Sequence, residues 1–270
     1  MKKQLSITFL ILMLLAVGLT GCVEPQKTDY FNNDYEANEN TVLKVTTING
    51  QIEIYNWDGD TVSLNAIKKT RLDREELDNV EINVNEVDNL IEIEAEYTGQ
   101  RSPIPSVDMN IKVPSYVTID TVKTSNGAIQ ISDTKGNITA QTSNGAIIIE
   151  NVDGYVQATT SNGRIEIKQT RGIRDLQSSN LGINAEILDF QDNISVSTSN
   201  GAITLYINPT LNADIEMTTS NGEISISGLS LNLTVNEEKH KVGKLGEGGN
   251  KISISTSNGN IKIYDLELEI

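Results

Sequence analysis

Few residues in this chain of 270 are placed for bond-making chemistry. His240 is the only histidine, and it stands among Glu237, Glu238, Lys239 and Lys241. A lone imidazole cannot assemble a transition-metal site. No nucleophile-elbow motif offers it a serine to activate. Paired carboxylates are the other route to hydrolysis. Glu166 and Glu223 fall on outward positions of alternating segments, so a carboxylate pair on a convex face, acting on a surface polysaccharide, stays open as an alternative reading. Cys22 is the only cysteine, so its thiol has no partner for an intramolecular disulfide. No catalytic residue, metal site or cofactor is expected.

The most conspicuous polar constellation is a repeat. Thr-Ser-Asn-Gly starts at Thr124, Thr142, Thr160, Thr198, Thr219 and Thr256, and Ser178-Ser179-Asn180-Leu181-Gly182 is a degenerate copy. The motif asparagines are Asn126, Asn144, Asn162, Asn180, Asn200, Asn221 and Asn258, at spacings of 18, 18, 18, 20, 21 and 37. A structural role is favoured over ligand binding, because Asn and Gly tolerate left-handed backbone and stacked amides bond to one another. The Thr and Ser columns can do the same. Calcium rolls of this repeat length place a carboxylate in every turn. Here the Asn-Gly turns carry no Asp, and the second turns carry one irregularly, at Asp133 and Asp153.

The elements that position this column follow from the same spacing. Three and five residues after each Asn come aliphatic pairs such as Ile129/Ile131, Ile147/Ile149 and Ile165/Ile167. Ten residues after it, Gly136, Gly154 and Gly172 open a second alternating stretch, as in Ile138/Ala140 and Val156/Ala158. Period-two alternation is the strand signature. The spacing therefore predicts an all-β, single-domain parallel β-solenoid of about 18 residues per coil. It should be right-handed, by the preference of parallel crossovers. Proline is absent from Ser115 to Asn208, where every N–H is needed. Arg174 occupies an inward apolar position, which predicts a local register shift. The domain is expected over 41–270, with insertions at about 70–115 and 229–250, the latter holding a β-hairpin or one irregular coil.

The N-terminus reads as targeting. Lys2 and Lys3 precede an apolar stretch, Leu5 to Leu19, so 1–21 is expected to be a signal peptide. Leu19-Thr20-Gly21-Cys22 resembles the lipobox of prokaryotic lipoproteins, which implies cleavage before Cys22, lipidation of its thiol and a partner in membrane lipid. Residues 22–40 are polar and read as a lipidated, flexible stalk. Beyond the signal, 19 basic residues face 37 acidic ones. With no basic patch to offset that excess, nucleic acid is excluded as a partner. A cell-surface protein or a glycan fits better, with end-to-end self-association as a further option. Asn137, Asn193 and Asn232 open N-glycosylation sequons.

An upstream segment shares the repeat. Thr47-Ile48-Asn49-Gly50 leads through Ile52 and Ile54 to a Trp57-Asp58 turn, then to a strand and the Lys68-Lys69 pair. Val113-Pro114 ends the strand before the first Thr-Ser-Asn-Gly, and Val242 to Gly249 precedes the last. Over about 41–264 the chain resembles a prokaryotic family of unknown function labelled "putative adhesin". That resemblance implies a β-solenoid and supplies no catalytic residue. Trp57 reads as a packing residue near the N-terminal end. A lipid-anchored, non-catalytic surface protein is the expectation, with adhesin-like binding or an envelope-structural role. A self-assembling envelope scaffold and a polysaccharide-acting enzyme are the alternatives.

Overall fold

The computed structural model describes residues 25–266. The expected signal segment and Cys22 lie outside the described residues. Among the described residues the fold is all-β, with a single 3-10 turn at Arg74–Leu77. Ahead of the repeats come β1 (Lys27–Glu36), β2 (Val42–Thr47), β3 (Ile52–Asn56), β4 (Thr61–Thr70), β5 (Val80–Val87), β6 (Leu90–Tyr97), β7 (Ser106–Val113) and β8 (Thr118–Lys123). The repeats supply β9 (Ile129–Lys135), β10 (Ile138–Gln141), β11 (Ile147–Thr160), β12 (Ile165–Ser178), β13 (Ile183–Ile187), β14 (Ile194–Thr198), β15 (Ile203–Ile207), β16 (Ala213–Thr219) and β17 (Ile224–Ser227). The chain ends with β18 (Leu231–Asn236), β19 (His240–Leu245), β20 (Lys251–Thr256) and β21 (Ile261–Asp265).

Hydrogen bonds join these strands into one ladder with two columns. The first runs β1-β4-β7-β3-β9-β11-β12-β13-β15-β21-β17. The second runs β5-β6-β2-β8-β10-β11-β12-β14-β20-β16-β19-β18. The long strands β11 and β12 belong to both. In the middle, pairing is parallel and the partner lies 18 residues on: Ile129 against Ile147, Ile147 against Ile165, Ile165 against Ile183. Each of these isoleucines is buried, as are Ile138, Ala140, Val156 and Ala158 in the second column. The alternation that predicts strands is thus also the alternation that fills the interior.

The expected register shift is present. Val156 faces Ile173 while Ala158 faces Leu176, so Arg174 and Asp175 together oppose Gln157. The bulge brings Arg174 to a half-buried position, where its Nη2 donates to Thr139 Oγ1 at 3.1 Å while its Nε stays buried without a partner. A guanidinium left pointing inward would be a buried, unpaired charge.

Both ends depart from the simple repeat. The segment over 22–40 is not a flexible stalk throughout, because Lys27–Glu36 pairs along its full length with β4 in antiparallel register. Its composition is polar, but Tyr35 is buried and Phe31 packs against the core, and the two share one strand face. Nor is 70–115 merely an insertion. β6 and β7 stack beneath β2 and β3 as a coil of their own, with β5, β4 and β1 added antiparallel beyond. At the other end β20 and β21, last in sequence, slip between β14–β15 and β16–β17. The stretch 229–250 forms the hairpin β18–β19, which closes the edge of β16.

Candidate binding surface

Two hydrogen-bonded columns hold the Thr-Ser-Asn-Gly turns in line. On the surface, the asparagine amides form a continuous ladder: Asn126 Nδ2 donates to Asn49 Oδ1 at 2.5 Å, Asn144 to Asn126 at 2.6 Å, Asn162 to Asn144 at 2.7 Å and Asn180 to Asn162 at 2.6 Å. It continues with Asn200 to Asn180 at 2.9 Å, Asn258 to Asn200 at 2.8 Å and Asn221 to Asn258 at 2.7 Å. The seven asparagines of the motif are joined by Asn49, and Asn258 lies between Asn200 and Asn221 rather than after them. Asn49 Nδ2 donates onward to the Ile104 carbonyl at 3.2 Å, which ends the ladder on that side.

The second column is interior. Thr142 Oγ1 donates to the Gly127 carbonyl at 2.9 Å, Thr160 to Gly145 at 3.0 Å, Ser178 to Gly163 at 2.9 Å, Thr256 to Gly201 at 2.9 Å and Thr219 to Gly259 at 2.9 Å. These hydroxyl residues are buried, whereas the seven motif asparagines of the ladder are exposed and Asn49 is half-buried. Past Thr219 the stack ends. There Lys239, at the hairpin tip, donates its Nζ to the Gly222 carbonyl at 2.5 Å, replacing the threonine of a further coil.

The glycines of the motif serve close approach, not left-handed backbone. A Cβ on Gly145 would lie 1.8 Å from the Gly127 carbonyl oxygen, and one on Gly163 would lie 1.6 Å from that of Gly145. Contrary to expectation, none of the motif asparagines has positive φ. Within the repeats, the left-handed residues other than glycine stand in the second turn, in an 18-residue column of their own: Asp133 at 56°, Asn151 at 53° and Gln169 at 49°. Asn151 Nδ2 donates to Asp133 Oδ1 at 2.6 Å, a short relative of the main ladder.

The remaining candidates are scattered. Asn137, Asn193 and Asn232 are exposed on different levels. Asn137 Oδ1 accepts from the Tyr155 N–H at 3.1 Å and Asn193 Oδ1 from the Lys251 N–H at 2.7 Å, so both have structural duties. Trp57 is half-buried; its Nε1 donates to the Thr61 carbonyl at 2.9 Å and Lys112 lies over its ring. His240 meets Glu216 at 3.1 Å, and Lys251 binds the other oxygen of that carboxylate at 2.5 Å. Those two contacts, Lys251 first, hold the Glu216 pKa below the usual carboxylate range.

Glu166 and Glu223 do not form a pair. Glu166 lies on β12 and Glu223 directly before β17, four strands away, or about 19 Å at the usual strand spacing. Glycosidase carboxylates sit within about 10 Å of each other. Glu166 is instead bound to Lys168 at 2.7 Å, which holds its pKa low, and lies 3.8 Å from Arg164 Nε. Among the described residues, no group of three or more His, Cys, Asp or Glu side chains is arranged to hold a metal ion.

The outward face of the first column carries one feature that the motif reading missed. Tyr206 and Tyr264 stack with centroids 5.4 Å apart and planes 23° from parallel. Beside them opens a groove of about 580 Å³, with Arg164 and Glu166 at one side and Tyr206 at the other. The signal was available: Tyr55, Tyr206 and Tyr264 each stand six residues after a ladder asparagine.

The Toastrack DUF4097 family matches residues 32–264, nearly the whole described body. The chain belongs to this family. Similar solved structures include a "putative adhesin" from Bacteroides fragilis, 13% identical, covering 88% of this chain and 97% of that one, with a TM-score of 0.42. A "putative adhesin" from Parabacteroides merdae is also 13% identical, covering 90% and 96%, with a TM-score of 0.41. A "putative cell adhesion protein" from Clostridium sporogenes is 14% identical, covering 89% and 100%, with a TM-score of 0.38. No curated protein matches. Among the described residues of this Toastrack chain, no helix is long and apolar enough to cross a membrane.

Proposed function

We propose that this Toastrack protein is a non-catalytic binding module held at the cell surface by a lipid on Cys22. Its body would be a right-handed β-solenoid of about 18 residues per coil that displays polar side chains in register. The observation that carries the reading is the division of labour in each turn. The buried Thr–Gly column and the aliphatic rows hold the stack, which leaves the outward positions free of structural duty over many adjacent strands. One outward row of the first column reads Gln130, Ile148, Glu166, Asn184, Thr204 and Lys262, strand after strand. Such a surface suits an extended partner, a glycan or a surface protein, met at many shallow contacts. A net negative chain without a basic patch suits neither nucleic acid nor an acidic polymer.

The test has two arms. Cys22→Ser should release the protein from membranes without lowering its melting temperature. Membrane partition that survives a carbonate wash would refute the anchor. The chain from residue 23 onward should then bind a defined set of glycans on an array, or a surface protein on intact cells; binding to neither would refute the reading.

Self-association has one observation in its favour. The edge of β17 has no partner strand among the described residues, and its Ile224 and Ile226 are only half-buried. An open edge of this kind can template a further strand. Sedimentation that stays monomeric over a wide concentration range would exclude it.

A further inference from the structure

The groove beside Tyr206 lies where the repeat departs from its own rule. Every complete copy of the motif has Gly directly after Asn, but the copy at Asn180 has Leu181 there, with the glycine displaced to Gly182. The ladder bond from Asn180 to Asn162 survives, at 2.6 Å, so the stack does not require the change. What the change does is expose Leu181, at 48%, on the rim of the groove. A large apolar side chain set out in water at a position where small residues keep the stack intact is a local cost without a structural return. Such departures mark function more often than they mark error.

The groove spans β12, β13 and β15, an interval of about 10 Å between its outer strands. Gly182 and Ala202 keep its floor low. One face of Tyr206 is covered by Tyr264, which fixes the ring; the other is turned toward β13, where Glu186 stands directly opposite with its carboxylate accepting from the Gln169 N–H at 2.9 Å, and Asn184 lies two residues along, opposite Thr204. Across from Tyr206, Arg164 and Glu166 offer a donor and an acceptor held in place by their mutual contact and by Lys168. Asn184 and Thr204 add an amide and a hydroxyl between them. An apolar ring face and an exposed leucine on one side, with hydrogen-bonding groups of both kinds on the other, match a molecule with one apolar face and a polar rim. A pyranose has those two sides. An acyl chain would set the charged Arg164 and Glu166 and the Asn184 amide against hydrocarbon, and an anion would meet three carboxylates, Glu166, Glu150 and Glu186, against two cations, Arg164 and Lys168.

We infer that this groove is a saccharide subsite, taking one neutral or N-acetylated pyranose against Tyr206, with Leu181 on the rim and Glu166, Arg164 and Asn184 reading its hydroxyls. The inference rests on the surface-binding reading and gives it an address. Neighbouring strands repeat at nearly the advance per sugar of an extended β-1,4-linked chain, so a longer glycan can continue along the stack in either direction.

The test is titration of the full-length chain, in detergent, with chitohexaose and with maltohexaose. The extended chitohexaose should bind, and maltohexaose, which coils, should bind less tightly. Tyr206→Ala should weaken chitohexaose binding about tenfold, the scale of one lost stacking contact. Tyr206→Phe should retain it and Leu181→Gly should weaken it less than Tyr206→Ala does. Tyr55→Ala, at the same motif position on a distant strand, should leave it unchanged. If Tyr206→Ala does not fold, the comparison of Leu181→Gly with Tyr55→Ala decides instead. Unchanged affinity in Tyr206→Ala, or in Leu181→Gly where that variant decides, overturns the inference. So does the absence of oligosaccharide binding by the unmodified chain. In either case, continued binding of the chain to array glycans or to a surface protein sinks only the subsite, and loss of all such binding sinks the surface-binding reading with it.

Discussion

The middle of this molecule and its two ends are built on different terms. From β9 to β15 the chain stacks in sequence order and repeats its bonds level by level. At the ends, order is broken twice in the same manner. The first Asn-Gly coil, β2–β3, is overlaid by β6–β7, and the last, β20–β21, is overlaid by β16–β17. Antiparallel strands then close much of what is left. A stack of parallel coils exposes unpaired edges at its extremities, and natural sheets cover or interrupt such edges. Here the covering is done by β1, β4 and β5 on one side and by the β18–β19 hairpin on the other. The middle is therefore generic and the ends specific, and substitutions of one kind should behave differently in the two.

The largest difference should come from a buried charge. Ile147→Asp places a carboxylate in the mid-stack interior, with isoleucines directly above and below. The expected loss is about 4 kcal/mol or more, enough to unfold several coils. Ile226→Asp lies on the open edge of β17 and should cost about 1 kcal/mol or less. Thermal melts of the two variants check the pair. Equal losses would mean that the end is as tightly packed as the middle.

Next comes the interior hydroxyl column. Thr142→Val keeps the shape but strands the Gly127 carbonyl, and should cost about 1 to 3 kcal/mol. Lys239→Met removes the equivalent donor to Gly222 at the hairpin tip, where water can take its place, and should cost less. Chemical denaturation distinguishes them, and the reverse order would mean that the hairpin, not the column, secures the stack.

Acid should act on the ends first. Asp73 is held below its usual pKa by Arg101, Glu76 by the Tyr97 hydroxyl and Glu216 by Lys251 and His240. All three lie in the end structures, whereas the middle has one such carboxyl, the exposed-face Glu166 of β12, held low by Lys168. A carboxyl with a depressed folded pKa contributes stability above its unfolded value and loses it as pH falls through the folded value. Below about pH 4 these contacts should therefore weaken progressively. Hydrogen exchange should then quicken in β19 and around Arg74–Leu77 before it does in β11 and β12. Uniform loss of protection would contradict this division.

Legibility in the sequence followed the same division. The middle strands, their inward isoleucines and the bulge at Arg174 could be read from alternation and an 18-residue period, because each coil meets a near copy of itself. The ends could not. Spacing records where a coil falls along the chain and carries no mark of where it inserts in the stack, so Asn258 reads as the last rung although it lies between Asn200 and Asn221. β1 was hidden by its polar face, since only Phe31 and Tyr35 look inward. The groove was hidden for another reason. Outward positions are unconstrained by packing, and the two marks they carry are faint: the break of the motif at Leu181, and a tyrosine six residues after the asparagine that also picks out Tyr55, far from the groove.

The asparagine ladder gives the smallest and most discriminating comparison. Asn144 both donates and accepts within the ladder, to Asn126 and from Asn162, while Asn221 only donates, to Asn258. The amides are exposed, so water can replace a lost partner, and neither position requires left-handed backbone. Removing Asn144 should therefore cost about 1 kcal/mol, less than the buried Thr142 one column inward. Asn221→Ala should cost about half as much, because one bond is lost rather than two. Chemical denaturation of Asn144→Ala, Asn221→Ala and the double variant checks this, and two sites this far apart in the ladder should be additive. A marked excess in the double variant would show that the ladder acts as one cooperative unit from end to end. If Asn144→Ala kept full stability and lost glycan binding instead, the exposed column would be a recognition surface, and the structural account of the repeat would fail at its centre.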